Sequence, residues 1–126
     1  MTKDDLVQCF VSLGQGDVAP LGRWLAKDCV LEFPGSRFGG NYQGARRVLV
    51  FLRQNQRLFS GGLKFTVEWS TVADGRAVVQ WTNQGTTRTG TEYQNRGVTV
   101  FELKGQRIVR IRDYLDTERL SQTWPR

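Results

Sequence analysis

The apolar residues of this chain change their spacing once, at Gly61-Gly62, and that change limits what the chain can fold into. Before the two glycines, apolar side chains recur every three or four residues. Leu6, Phe10 and Leu13 stand at i, i+4 and i+7 with Val7 beside them, and Gly14-Gln15-Gly16 ends the pattern. That is the spacing of one face of an α-helix. Thr2 is placed to cap this helix, and Asp4 and Asp5 bring the charge that a first turn favours. Asp17 is placed to cap a shorter helix that buries Leu21, Trp24 and Leu25. Cys29–Phe33 reads as a strand stopped by Pro34-Gly35, and a glycine-rich link leads to a third helix at about 45–59. There Val48, Leu52 and Phe59 oppose a row of arginines.

After Gly62 the period becomes two. Leu63, Phe65, Val67 and Trp69 alternate with Lys64, Thr66, Glu68 and Ser70, as in a strand with one apolar face. Asp74-Gly75 signals a hairpin, and further strands are predicted at about 76–86, 91–103 and 107–115. Asp116 is placed to cap a short closing helix. Helices followed by an antiparallel meander make an α+β fold, and 126 residues suit one domain over the whole chain.

Composition removes much of the catalytic repertoire. There is no histidine, so no Ser-His-Asp or Cys-His nucleophile system and no histidine-ligated zinc. Cys9 and Cys29 cannot form a four-thiolate metal site and are expected to be buried and reduced, in a cytoplasmic protein. No cofactor or metal is expected. No apolar run nears the roughly 20 residues of a membrane span, and Thr2-Lys3-Asp4-Asp5 is too polar to open a signal peptide. Chemistry is left to carboxylates, hydroxyls, amides, arginine and lysine.

The net charge of +6 raises nucleic acid as a partner. Arg46, Arg53 and Arg57 would share one side of the third helix, with Arg47 nearby. No helix-turn-helix, zinc knuckle or alternating Arg/aromatic strand accompanies them, so they read as a solvated helix face, with nucleic acid the lesser alternative.

Gly97-Val98-Thr99-Val100-Phe101-Glu102-Leu103, Gly105, Ile108 and Arg112-Asp113-Tyr114-Leu115-Asp116, together with the element order, resemble the SnoaL-like and limonene-epoxide-hydrolase-like branch of the nuclear transport factor 2-like superfamily. The segment from Cys29 to Gly44 is similar to the corresponding part of that branch. The resemblance implies three N-terminal helices packed on a strongly curved antiparallel sheet that encloses a conical pocket. It also implies a catalytic carboxylate at Asp113. The epoxide-hydrolase Arg and second Asp fall on Gln80 and Thr82, and its Tyr and Asn fall near Val30 and Glu32, so that relay is not expected here. The ketosteroid isomerase base and proton donor fall on Phe33 and Thr99, which cannot fill those roles. The SnoaL-type cyclases share the Asp but add a histidine that this chain lacks.

Strand parity gives Asp113 an independent reading. Val109, Ile111, Asp113 and Leu115 share one face, and Arg110 and Arg112 the other. A carboxylate in an apolar row loses solvation, and its pKa rises toward the range useful for acid/base work; the alternatives are a structural acceptor for Gln80, Thr82 or backbone groups that fixes the sheet's curvature, or a group that orients a ligand without catalysis. Glu32, at a strand end near the expected pocket mouth, is a candidate second carboxylate; the alternative is an ion pair with an arginine such as Arg37. Gln80, Thr82, Asn95 and Thr99 are candidate hydrogen-bonding groups, and Trp24, Phe33, Tyr42 and Phe59 a candidate apolar lining. With Gln80 and Thr82 inward, Trp81 would face outward, and Trp69 could join it. The superfamily usually covers that face with a second subunit, which implies a homodimer.

Three functions follow as expectations. The chain is a cofactor-free isomerase, cyclase or hydrolase acting through Asp113 on a small, mostly apolar molecule with a carbonyl or hydroxyl group; or a non-catalytic binder of such a molecule; or a protein-interaction domain.

Overall fold

The computed structural model describes residues 1–36 and 39–123. Its elements are α1 (Lys3–Gly14), α2 (Ala19–Trp24), β1 (Leu25–Phe33), β2 (Gly40–Gln43), α3 (Ala45–Arg57), β3 (Phe59–Ala73), β4 (Arg76–Thr87), β5 (Glu92–Lys104), β6 (Arg107–Leu115) and α4 (Thr117–Thr123). The strands form one six-stranded sheet in the order β2-β1-β6-β5-β4-β3. All neighbours run antiparallel except β1 and β6, which are parallel. The sheet curls around α1 and α3, and the core lies between them.

Local chemistry explains most boundaries. Thr2 and Asp5 form a reciprocal capping box: the Asp5 amide donates to Thr2 Oγ1, and the Thr2 amide to Asp5 Oδ2 at 2.8 Å. Asp17, expected as the cap of α2, lies one residue before the N-cap Val18, which has no side-chain cap, though Asp17 still accepts from the Ala19 amide; Pro20 sits in the first turn. Asp116 Oδ1 accepts from the amides of Glu118 and Arg119, the capping role expected of it. The β3–β4 turn places Asp74 and Gly75 at φ of 53° and 72°, the conformation a tight hairpin turn demands of both residues.

Three segments differ from expectation. β1 starts at Leu25 rather than Cys29, because Leu25 already pairs with Ile108 of β6. The glycine-rich link contains β2, which pairs with β1 from Val30↔Gln43 to Phe33↔Gly40. α3 ends at Arg57, and Phe59 opens β3 opposite Thr87.

Leu6, Cys9 and Phe10 of α1 pack with Val48 and Phe51 of α3 against Leu31, Val79, Trp81, Phe101 and Ile111 of the sheet. Both cysteines are free and buried, as expected; desolvation pushes their thiols up to about 11. Gln56 is a buried amide on the inward face of α3. Its Nε2 donates to the Leu63 carbonyl at 3.0 Å and its Oε1 accepts from the Leu63 amide at 2.7 Å, fastening the helix end to β3. Arg46, Arg47, Arg53 and Arg57 are exposed on the other side of that helix.

Candidate functional site

β6 is flanked by β1 and β5, so Asp113 stands inside the sheet rather than at its edge. It faces inward with Ile111 and Leu115, and the three line an apolar cavity of about 90 Å³. Val109 does not belong to that row as expected: the β5–β6 register shifts after Glu102, and Ile108 takes the fully buried position. Phe10, Phe65, Trp81 and Phe101 form an aromatic wall of the cavity. Phe65 meets Phe10 and Trp81 edge-on, with ring centroids 5.3 and 5.1 Å apart.

A short chain of hydrogen bonds reaches Asp113. Trp81 Nε1–H donates to Thr99 Oγ1 at 2.9 Å, and the Thr99 hydroxyl donates to Asp113 Oδ1 at 2.6 Å. Thr99 and Asp113 are direct partners in the β5–β6 ladder. Trp81 lies over Gly97, where an added Cβ would stand 2.6 Å from the indole ring and 2.5 Å from the Tyr114 carbonyl oxygen. Among the described residues, Thr99 is the hydrogen-bond donor to the Asp113 carboxyl. By accessible area Asp113 is half-buried, yet its carboxyl sits deep enough in the apolar lining for desolvation to dominate. Burial raises it from 3.8 to about 6, against the opposing pull of the Thr99 hydroxyl.

Of the residues predicted for the site, Asp113, Thr99 and Phe33 come together at the cavity. Gln80 and Thr82 do not: β4 turns Ala77, Val79, Trp81 and Asn83 inward, and Gln80 points out toward Glu68. Trp81, expected on the outer face, is therefore inside and only 3% exposed. The signal was present in β4, whose odd-numbered row is the more apolar one.

Asn95 is buried but committed elsewhere. Its Nδ2 donates to Tyr93 Oη and the Asp116 carbonyl, and its Oδ1 accepts from the Arg96 amide. Phe59 packs with Leu63, Tyr93 and Leu120 in a second cluster. Tyr42 stacks on Phe51 at 4.0 Å, and Trp24 packs half-buried against the core; neither lines the cavity.

Glu32 is not beside Asp113. Its position opposite Arg112 in the β1–β6 ladder puts it on the outer face of the sheet. There it accepts from Arg110 at 2.5 Å and from Arg112 at 3.1 Å, and Arg112 also reaches Glu102 at 2.6 Å. The Arg110 hydrogen bond holds the Glu32 carboxyl below its usual range. Arg37, the partner suggested for Glu32, lies outside the described residues. A β-bulge at Glu68 turns Trp69 outward opposite Gln80, where it is 54% exposed.

Among the described residues no three Cys, Asp or Glu side chains cluster to hold a metal ion, and no helix is long and apolar enough to cross a membrane.

A curled, mostly antiparallel sheet wrapped on N-terminal helices, with a carboxyl facing the enclosed cavity, defines a nuclear transport factor 2-like protein. Residues 6–111 match the SnoaL-like domain model, and the chain belongs to that family. Solved structures agree on the fold. Bal32a, from a soil-derived mobile gene cassette, superposes with a TM-score of 0.86 at 19% identity, covering 97% of this chain and 95% of that one. A protein from Jannaschia sp. CCS1 described as a SnoaL-like polyketide cyclase gives 0.81 at 17% identity over 95% and 88%. TerC, co-crystallised with polyporic acid, gives 0.81 at 18% identity over 95% of both chains. No curated protein matches the sequence.

Proposed function

We propose that this chain binds a small, mostly apolar organic molecule in the cavity and that Asp113 performs acid/base chemistry on it. The observation that carries this reading is a carboxyl inside an apolar cavity whose hydrogen bonding is supplied, among the described residues, by Thr99 alone. Structural carboxylates at such depth are held by several donors or by an arginine. Among the described residues Asp113 has neither, which leaves its second oxygen for a bound molecule.

A carboxyl raised to about 6 exchanges protons with carbon or oxygen acids near neutral pH. As carboxylate, Asp113 takes a proton from a carbon next to a carbonyl, or from a hydroxyl. From carbon the electron pair moves onto the carbonyl oxygen and the proton returns at another position; from a hydroxyl the pair stays on that oxygen, which closes a new bond to the carbonyl carbon while Asp113 returns the proton to the carbonyl oxygen. Isomerisation and cyclisation both fit this sequence and need no co-reactant; in the hydrolase variant Asp113 takes a proton from water, whose oxygen bonds to carbon as the carbon–oxygen bond of the leaving group breaks, and the proton passes to that leaving oxygen. The Thr99 hydroxyl, oriented by Trp81, fixes the carboxyl and moderates its basicity. Co-crystallisation of TerC with polyporic acid supports a small organic ligand for this fold.

An Asp113→Asn variant tests the reading against a panel of carbonyl- and hydroxyl-bearing aromatics. Lost turnover with retained affinity supports catalysis. Lost affinity without any wild-type turnover favours the second reading, a non-catalytic binder that uses Asp113 to orient its ligand.

We further propose a homodimer through the outer sheet face. Trp69, Gln80, Val98 and Tyr114 form one row across four strands, and the aromatics at its ends are 54% and 56% exposed.

A further inference from the structure

Of the three buried polar side chains around the cavity, Gln56, Thr99 and Asn83, the first two are occupied by protein partners. Gln56 spends both amide atoms on Leu63. Thr99 is held between Trp81 and Asp113. Asn83 breaks the pattern. It is 5% exposed and lines the cavity, and no donor among the described residues reaches its buried Oδ1.

The neighbours of Asn83 cannot supply that donor. Its partner across β5, Asn95, has both amide hydrogens committed, to Tyr93 Oη and to the Asp116 carbonyl. Its partner across β3 is Phe65, and the inward positions before it on β4 are Trp81, Val79 and Ala77. A buried amide oxygen without a donor is a standing destabilisation, and apolar replacement of such a group is normally neutral or favourable. A ligand that fills the cavity beside Asn83 leaves this oxygen unmet unless it brings its own donor.

We propose that Asn83 is a ligand anchor: the cavity takes a molecule whose apolar body carries an O–H or N–H group that donates to Asn83 Oδ1, remote from the group presented to Asp113. Asn83 lies on β4, two inward steps beyond the level of Asp113, with β5 between their strands. The preferred ligand is therefore polar at two separated points and apolar between them. This rests on the small-molecule reading of the cavity above and narrows its substrate class.

The test uses two probes that share a bicyclic aromatic body, 2-naphthol and 2-methoxynaphthalene, titrated into the full chain by calorimetry. Wild type is expected to prefer the naphthol, and Asn83→Leu to lose about threefold to tenfold on the naphthol with little change on the methyl ether. The thermal midpoint of Asn83→Leu should equal or exceed that of wild type. A naphthol preference that survives in Asn83→Leu places the donor's partner elsewhere and overturns the anchor. Equal wild-type affinity for both probes overturns it while leaving the cavity reading intact, whereas no binding of either overturns both. A midpoint lowered by several degrees in both Asn83→Leu and Asn83→Ala assigns Asn83 a structural role and also overturns the proposal.

Discussion

Thr99 and Asp113 face each other across the β5–β6 ladder, and the threonine hydroxyl donates to Asp113 Oδ1 at 2.6 Å while accepting from the Trp81 indole. The hydroxyl thus sets which way the carboxyl points and favours its ionised form. Thr99→Val keeps the shape and removes both hydrogen bonds. The Asp113 carboxyl should then titrate above about 6, seen as an upward shift in the pH profile of binding or turnover, or directly by carboxyl-carbon NMR. A buried indole N–H left without an acceptor should also lower stability by about 1–3 kcal/mol. An unmoved titration midpoint would count against the relay.

Asp113 should also work against the stability of the fold. Its carboxyl is raised to about 6 in the folded chain and sits near 3.8 when unfolded, so the folded state binds more protons between those values. Stability therefore falls as pH rises from about 4 through about 6, by roughly 3 kcal/mol in this one term. Asp113→Asn removes the penalty and can still accept from Thr99. The variant should melt above wild type at pH 8, with the gap closing near pH 4. An equal gap at both pH values would contradict the assignment.

Gln56 closes two backbone hydrogen bonds of Leu63 with one side chain. Gln56→Ala leaves a buried amide and a buried carbonyl unmet and should cost about 2–4 kcal/mol, measured by urea unfolding. Because Gln56 also lines the cavity, ligand affinity should fall with it.

The outer row ending in Trp69 and Tyr114 is the expected dimer surface. Trp69→Ser combined with Tyr114→Arg should convert the dimer to monomer in analytical ultracentrifugation without lowering helix or strand content. Wild type that sediments as a monomer at all concentrations would rule the dimer out.

Glu32 holds two arginines on alternate positions of β6. Glu32→Gln should weaken the fold modestly at neutral pH. The Glu32 pKa is lowered on folding, so its contribution is present above the usual carboxylate range and is lost as pH falls through the folded value. The variant and wild type should accordingly converge in acid, and high salt should narrow the difference as well.

Much of the fold was legible because its signals are local: the cap at Thr2, the Asp74-Gly75 turn and the alternation that turns Asp113 inward. What escaped depends on pairing between distant strands. Nothing near Glu32 reveals that β6 will lie beside it and place Arg110 and Arg112 within reach. The four residues of β2 are too few to show a period. The bulge at Glu68 reverses the parity of β3, sending Trp69 outward. Gln80 and Thr82 are expected inward because the resemblance aligns them with the epoxide-hydrolase Arg and second Asp, yet the larger apolar area of Ala77, Val79 and Trp81 decides which face of β4 is buried. The Asn83 amide came inward with that row.

The parallel pairing of β1 with β6 brings together residues as far apart as Glu32 and Arg110, 78 positions along the chain. During synthesis the strand bearing Asp113 is therefore the last of the six to emerge, though both earlier parts of the sheet must dock onto it. Until it arrives, β1 and β5 each present an open edge able to recruit the wrong strand, and their long-range closure makes for slow folding. The acid enters its cavity in the same event that seals the sheet. Chains interrupted before Arg107 should consequently accumulate as aggregates rather than as a smaller folded unit.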